Sequence, residues 1–228
     1  TELSNCRRPA AALRGSLLAR TAPMIVPKAV VFDLGKVLVE FDYSIAARRI
    51  AARGKMTLGE IALYINQSPL LVQYELGRVT TEQFYHEIRG VTGFRGDLAE
   101  FSDCFADIFV PIEPMLQLQA ALRRKGLPAY LFSNTNELAA EHIRRTFPFY
   151  ANFDGYILSY EHGVMKPDAK LYEVVERESG QRHGDLLYLD DRPENIAAGA
   201  ARGWQVILQE TPEKSRAAVQ QLGLLDHE

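Results

Sequence analysis

Two cysteines in 228 residues, Cys6 and Cys104, are too few for a disulfide framework or a thiolate metal centre. Cys104 stands among apolar residues, where a packed thiol is the simpler reading. No apolar run approaches the ~18 residues of a membrane span. Charge of neither sign dominates. Lys and Arg total 26 and Asp and Glu 29, and the net −3 leaves no global basic field for nucleic acid or an anionic membrane. Internal repeats and low-complexity tracts are lacking too, which sets aside solenoids and disordered linkers. A reducing, cytoplasmic setting is expected.

At 47% hydrophobic, the chain can bury a core large enough for one full domain plus an insertion. Its first 23 residues differ, with Arg7, Arg8, Arg14 and Arg20 against the single acid Glu2, a composition shared with transit peptides. No central apolar block followed by a small-residue cleavage site marks a secretory signal. The fold pattern begins only at Lys28, so residues 1–23 are expected to be an extension ahead of Met24.

From Lys28 the pattern alternates strands and helices, which predicts an α/β fold with a Rossmann-like parallel sheet. Strands are expected over 29–33, 128–133, 155–159, 186–190 and 204–208. These runs are apolar without alternation, as when helices cover both faces. Helices are expected from Pro114 to Gly126, over roughly 137–146 and 168–179, from Pro193 to about Arg202, and from Pro212 to about Gln221. The stretch 43–110 breaks the alternation. Its capping boxes at Thr57/Glu60 and Thr80/Gln83, Pro69 after Ser68, and stops at Gly77 and Gly90 predict helix after helix, a second unit rather than a loop. The core is then 24–42 with 111–228.

Chemistry-bearing residues recur where apolar strands end. Val30-Val31-Phe32 runs into Asp33 ahead of Gly35; Leu131-Phe132 ends in Ser133-Asn134-Thr135; Leu187-Tyr188-Leu189 ends in Asp190-Asp191; and Lys166 sits in turn chemistry before a helix. Asp is a poor strand residue, so its placement at a buried strand end is better explained by chemistry than by stability. In open α/β sheets, ligands bind beyond the carboxyl ends of the strands. A carboxylate, a hydroxyl, a lysine and an acidic pair in that order are the parts of a magnesium-dependent phosphoryl-transfer site. Taken singly, each has a plainer reading: Ser133 as a turn residue, Lys166 as a solvated charge, Asp190-Asp191 as a helix cap before Pro193. The four together, in order, favour the site.

In these motifs the chain resembles the haloacid dehalogenase (HAD) superfamily of hydrolases, over about Lys28 to Leu222. The wording Phe-Asp-Leu-Gly-x-Val, Leu-Phe-Ser-Asn-Thr-Asn and Leu-Asp-Asp-x-x-x-Asn is most similar to the bacterial alpha-D-glucose-1-phosphate phosphatase branch. The resemblance implies a HAD core with residues 43–110 as a helical cap over the active site. It implies Asp33 as nucleophile and Mg²⁺ as cofactor, held by Asp33, the Gly35 carbonyl and the pair Asp190-Asp191. Ser133 with the Asn134 and Thr135 amides would hold phosphate, and Lys166 would neutralise charge. The substrate would be a small phosphorylated metabolite, with the protein a monomer or homodimer.

One departure stands beside the match: most phosphatases of the superfamily carry a second Asp two places after the nucleophile, where this chain has Gly35. A sugar 1-phosphate fits that loss, because an anomeric oxygen leaves as a less basic alkoxide. Lys36, Asp42 or a cap residue could partly substitute. Tyr43, Tyr64 and Glu75 are candidate polar contacts for a sugar, although Tyr64 and Tyr74 read more simply as packing between helices, as does Trp204. His86, His142 and His183 read as solvated helix faces, and His162 as a pocket-lining candidate. The competing functions are metal-free carbon–halogen hydrolysis, which usually shows Tyr-Gly-Thr after the nucleophile rather than Gly35-Lys36-Val37, and a catalytically weak phosphometabolite-binding protein.

Overall fold

The computed structural model describes residues 25–226, so the extension expected over 1–23 and Cys6 lie outside the described residues. Strand β1 (Ala29–Phe32) is the middle of the sheet, and all four of its side chains are buried. Their period-two geometry sends Val30 and Phe32 to one apolar layer and Ala29 and Val31 to the other.

After β1 the chain makes β2 (Val39–Phe41) and five helices: α1 (Tyr43–Ala52), α2 (Leu58–Gln67), α3 (Leu70–Glu75), α4 (Thr81–Thr92) and α5 (Leu98–Ala106). It returns through β3 (Phe109–Pro111) to α6 (Glu113–Arg124), β4 (Ala129–Ser133), α7 (Glu137–Thr146) and β5 (Gly155–Leu158). The remainder is α8 (Ser159–His162), α9 (Ala169–Ser179), β6 (Leu186–Asp190), α10 (Pro193–Ala201), β7 (Gln205–Leu208) and α11 (Pro212–Gln221). The sheet order is β5-β4-β1-β6-β7, all parallel, with the five expected strands found to within a residue at each end.

Met115, Leu118 and Leu122 of α6, Ile143 of α7 and Val219 of α11 cover the Val30 face; Leu171, Tyr172 and Val175 of α9 cover the other. Each such side chain stabilises the fold by roughly 1.5–3 kcal/mol of transfer free energy. Trp204 packs there as expected, its rings against Tyr172 and Tyr188 and its indole N–H donating to Glu176. Because every strand runs the same way, Asp33, Ser133 and Asp190 emerge on one edge, with Phe32 in register with both Leu131 and Leu189.

Helices α1–α5 have an apolar cluster of their own, built on Tyr74, Phe84, Phe101 and Phe105, with Tyr74 stacked on Phe84 at 4.5 Å. Both expected capping boxes form, and a third, Asp97 with Glu100, starts α5. The stop expected at Gly90 does not occur. An exposed helical glycine costs only about 1 kcal/mol, and α4 runs on to place Thr92, whose hydroxyl donates to Ile88 O, before ending at Gly93 with φ +66°. Where the chain leaves and re-enters the core, β2 and β3 pair antiparallel, Glu40 opposite Val110. Three residues each, they are too short to show a pattern in sequence.

His142 is a correction: it is buried, 8% exposed, between the rings of Phe109 and Phe147, and burial lowers its pKa. Its place on an amphipathic helix predicts a solvated ring, but Phe109 of β3 covers that face. Among the described residues no helix is long and apolar enough to cross a membrane.

The turn after α3 touches the core at Gly77, where φ is +64° and an added Cβ would lie 2.1 Å from Tyr160 O. Gly77→Ala should therefore destabilise by more than the ~1–2 kcal/mol of left-handed backbone alone. Denaturant unfolding of the variant checks this, and a loss within that range would mean the contact relaxes freely.

Candidate active site

Asp33 extends the ladder by one residue, its amide donating to Leu189 O at 2.9 Å. Its Oδ1 accepts the Leu34 amide at 2.7 Å and lies 2.9 Å from Lys166 Nζ. The lysine has come from the loop before α9 to a position 6% exposed. All three ammonium donors are used: Asp33 Oδ1 at 2.9 Å, Asp190 Oδ2 at 2.6 Å and Phe132 O at 2.9 Å, with the rings of Phe132 and Tyr188 beside the charge. The Asn134 side chain fixes the lysine's backbone, accepting from Lys166 N at 2.7 Å and donating to Lys166 O at 3.0 Å.

The acidic pair divides. Asp190 is completely buried, and its two oxygens accept from Lys166, the Tyr188 hydroxyl, the Arg192 amide and, at both oxygens, Asn195 Nδ2. A carboxylate offers about four lone-pair sites, so Asp190 is saturated. Asp191, by contrast, lines a cavity of about 190 Å³ together with Asp33, Gly35, Lys166 and Glu75. Sequence gave no reason to separate the neighbours. Strand geometry does, turning Asp190 inward and Asp191 out.

Ser133 is buried and lines an adjoining cavity of about 80 Å³ that shares Gly35, Phe41, Glu75 and Asn134 with the first. Tyr43 lines this second cavity. Of the two turn amides expected to face phosphate, that of Thr135 is already spent on Ser159 Oγ at 3.0 Å. His162 is exposed and lines neither cavity, and Tyr64 packs inside the helical unit. Asp42 is occupied in capping α1 through Ser44 and also lines neither. Residues that sequence reasoning missed are the positioning ones: Tyr188, Asn195 and Ser159. Asn195 stood in the quoted motif without an assigned role.

Electrostatics follow from this packing. Burial, with Asp190 nearby, raises Asp33 to about 7 despite Lys166, and burial and Asp190 likewise raise Asp191. Asp190 is desolvated as well, yet Lys166 and its hydrogen bonds hold it below the usual value. Lys166 is held up by the two carboxylates against its own desolvation. Both cavity-facing carboxyls thus resist ionisation: three acids face one ammonium. Oxygens of Asp33, Asp190 and Asp191 lie within 4.8 Å of one another; with Asp190 saturated, Asp33 and Asp191 are the carboxylates left to offer oxygens to a hard divalent cation, which would offset the excess charge.

Stability should separate these carboxylates. Asp190→Asn leaves Lys166 short of its neutralising partner and should cost about 3–5 kcal/mol, whereas Asp33→Asn leaves a neutral Lys166–Asp190 pair. In the metal-free protein, Asp33 holds its proton to about 7 when folded but to about 3.9 when unfolded. Wild type should lose stability relative to Asp33→Asn as pH rises between those values, and change no further above them. Urea titrations of both variants across that range check the order and the sign.

The match to known proteins is extensive. A family description, haloacid dehalogenase-like hydrolase, fits residues 27–203. A sesquiterpene phosphatase of Aspergillus oryzae is 26% identical over 179 residues, 77% of this chain and 86% of the relative. A D-ribitol-5-phosphate phosphatase of Bacteroides thetaiotaomicron is 24% identical over 190 residues, 80% and 92% of the two chains. A HAD family enzyme from the same bacterium, solved with magnesium and inorganic phosphate, superposes with a TM-score of 0.72 at 23% identity, covering 81% of this chain and 96% of the other. With residues 27–203, well over half of its length, matching that family, the chain belongs to the haloacid dehalogenase-like hydrolases.

Proposed function

We propose that the protein is a cytoplasmic Mg²⁺-dependent phosphatase of small phosphorylated metabolites, with a sugar 1-phosphate as the substrate it turns over best. The observation that carries this reading is the charge imbalance: Asp33 and Asp191 face one cavity with their pKa values pushed up, and the only buried ammonium among the described residues is already shared with Asp190. An anionic phosphate ester can enter such a site only with a cation. The two phosphatase relatives support the substrate class.

In this reading Asp33 attacks phosphorus and carries the phosphoryl group as an aspartyl-phosphate. Asp33, Asp191 and the Gly35 carbonyl hold Mg²⁺, with Asp190 acting behind them by fixing Lys166. When bound, the cation supplies the charge that keeps Asp33 ionised and screens the phosphate. Ser133 and the Asn134 amide bind phosphate oxygens, Lys166 neutralises charge, and Glu75 is a polar contact for the rest of the substrate. Helices α1–α5 act as the cap that closes over it. A metal-free carbon–halogen hydrolase is the weaker reading, since its haloacid carboxylate would meet Asp33 and Asp191 with no cation between them.

Asp33→Asn should abolish turnover without loss of fold, and excess chelator should abolish wild-type activity until Mg²⁺ is restored. Full activity in chelator would return the carbon–halogen reading to the front; binding of phosphometabolites without turnover would select a binding protein. In kcat/KM, alpha-glucose 1-phosphate should exceed glucose 6-phosphate, and parity would remove the anomeric preference.

A further inference from the structure

Breaking a phosphate ester of an ordinary alcohol requires a proton for the departing oxygen. Gly35 cannot supply it, and a side chain there would have to displace the Phe41 ring, which lies 2.7 Å from an added Cβ. The other ionisable groups that line the Asp33 cavity are committed. Asp33 and Asp191 are the carboxylates assigned to attack and to the cation. Lys166 has all three donors engaged. Lys36 is tied to Glu40 at 2.5 Å, and Arg192 pairs with Glu194 and as a guanidinium does not release protons. Glu75 remains.

Its placement is specific. Glu75 ends α3, lines both the Asp33 cavity and the Ser133 cavity, and so stands where they join at Gly35 and Asn134. Its backbone is pinned to the core, with Ser159 Oγ donating to Glu75 O at 2.7 Å and Gly77 two residues on pressed against Tyr160 O. The carboxyl is therefore delivered from the helical unit into the site by a fixed main chain. Burial, only partly opposed by Arg192, raises it to about 7, so a protonated fraction exists at neutral pH.

We propose that Glu75 is the catalytic residue that protonates the leaving oxygen, a role that rests on the phosphatase reading above. As Asp33 bonds to phosphorus, the P–O bond to the alcohol breaks, its electron pair stays on the alcohol oxygen, and that oxygen takes the Glu75 proton. Glu75 is left as a carboxylate. Water then attacks the aspartyl-phosphate, the bond from Asp33 to phosphorus breaks, and the water's proton returns to Glu75 as phosphate leaves.

The test is Glu75→Gln, isosteric and without a transferable proton, read as kcat/KM because this reports steps through ester cleavage whatever limits kcat. For p-nitrophenyl phosphate, whose phenol leaves unaided, the variant should stay within a few-fold of wild type. For glucose 6-phosphate and other primary alkyl phosphates it should fall by about 10²-fold or more, widening the preference for alpha-glucose 1-phosphate. An equal fall on aryl and alkyl esters, no fall on either, or a wild type that cleaves p-nitrophenyl phosphate but no alkyl phosphate would overturn the assignment. Failure of the phosphatase reading itself shows elsewhere, as activity that survives Asp33→Asn.

Discussion

The buried Lys166 ammonium is the interaction on which the site depends. Taking such a charge out of water costs several kcal/mol, and the cost is offset only where each donor finds a well-placed acceptor. Here the three acceptors come from three adjacent strands: Asp33 after β1, Phe132 O in β4 and Asp190 ending β6. Strand register places all three on one edge, so the lysine reads out correct pairing of the sheet centre. A register slip would leave at least one donor unpaired.

Stability and activity diverge within this cluster. Asp190 is hydrogen-bonded at both oxygens and held ionised, and it stabilises the lysine. Asp33 and Asp191 face the cavity and are held at a cost in their charged forms. A fold optimised for stability alone would satisfy one buried ammonium with one carboxylate. The two additional acids carry a charge that Lys166 does not fully offset, relieved by protonation or by a ligand of positive charge, which is how an active site is expected to differ from a structural ion pair.

Much of this was legible in the chain. Strands buried on both faces read as continuous apolar runs, and the acid, hydroxyl and lysine that end them stand out because nothing about a strand favours them. The helices between announced themselves through Thr57/Glu60, Thr80/Gln83 and closing glycines. What was not legible depends on direction or distance. Asp190 and Asp191 are identical in sequence and opposite in orientation. His142 sits on an amphipathic helix, and its burial depends on β3, a strand too short to see. The Thr135 amide has no local partner, and Ser159, which takes it, lies 24 residues away. Gly90 misled because a glycine's helix-breaking tendency is small beside the packing of Ile88 and Thr92.

Ser159 also links the helical unit to the core chemistry. One buried hydroxyl accepts the Thr135 amide and donates its single proton to Glu75 O at 2.7 Å, with Thr135 O a second acceptor within reach at 3.1 Å. It thereby ties the turn after Ser133 to the end of α3. Tyr74 makes a second tie, its hydroxyl accepting the Leu138 amide at 3.1 Å and meeting Thr81 at 2.7 Å. Each such bond contributes about 0.5–1.5 kcal/mol net, a few kcal/mol together, which is far less than the apolar clusters that hold either unit together. Glu75 belongs to one unit and Asp33 to the other, so the cavity that the two carboxyls share depends on these ties together with the apolar contacts of Phe109 and Leu138 against the helical cluster.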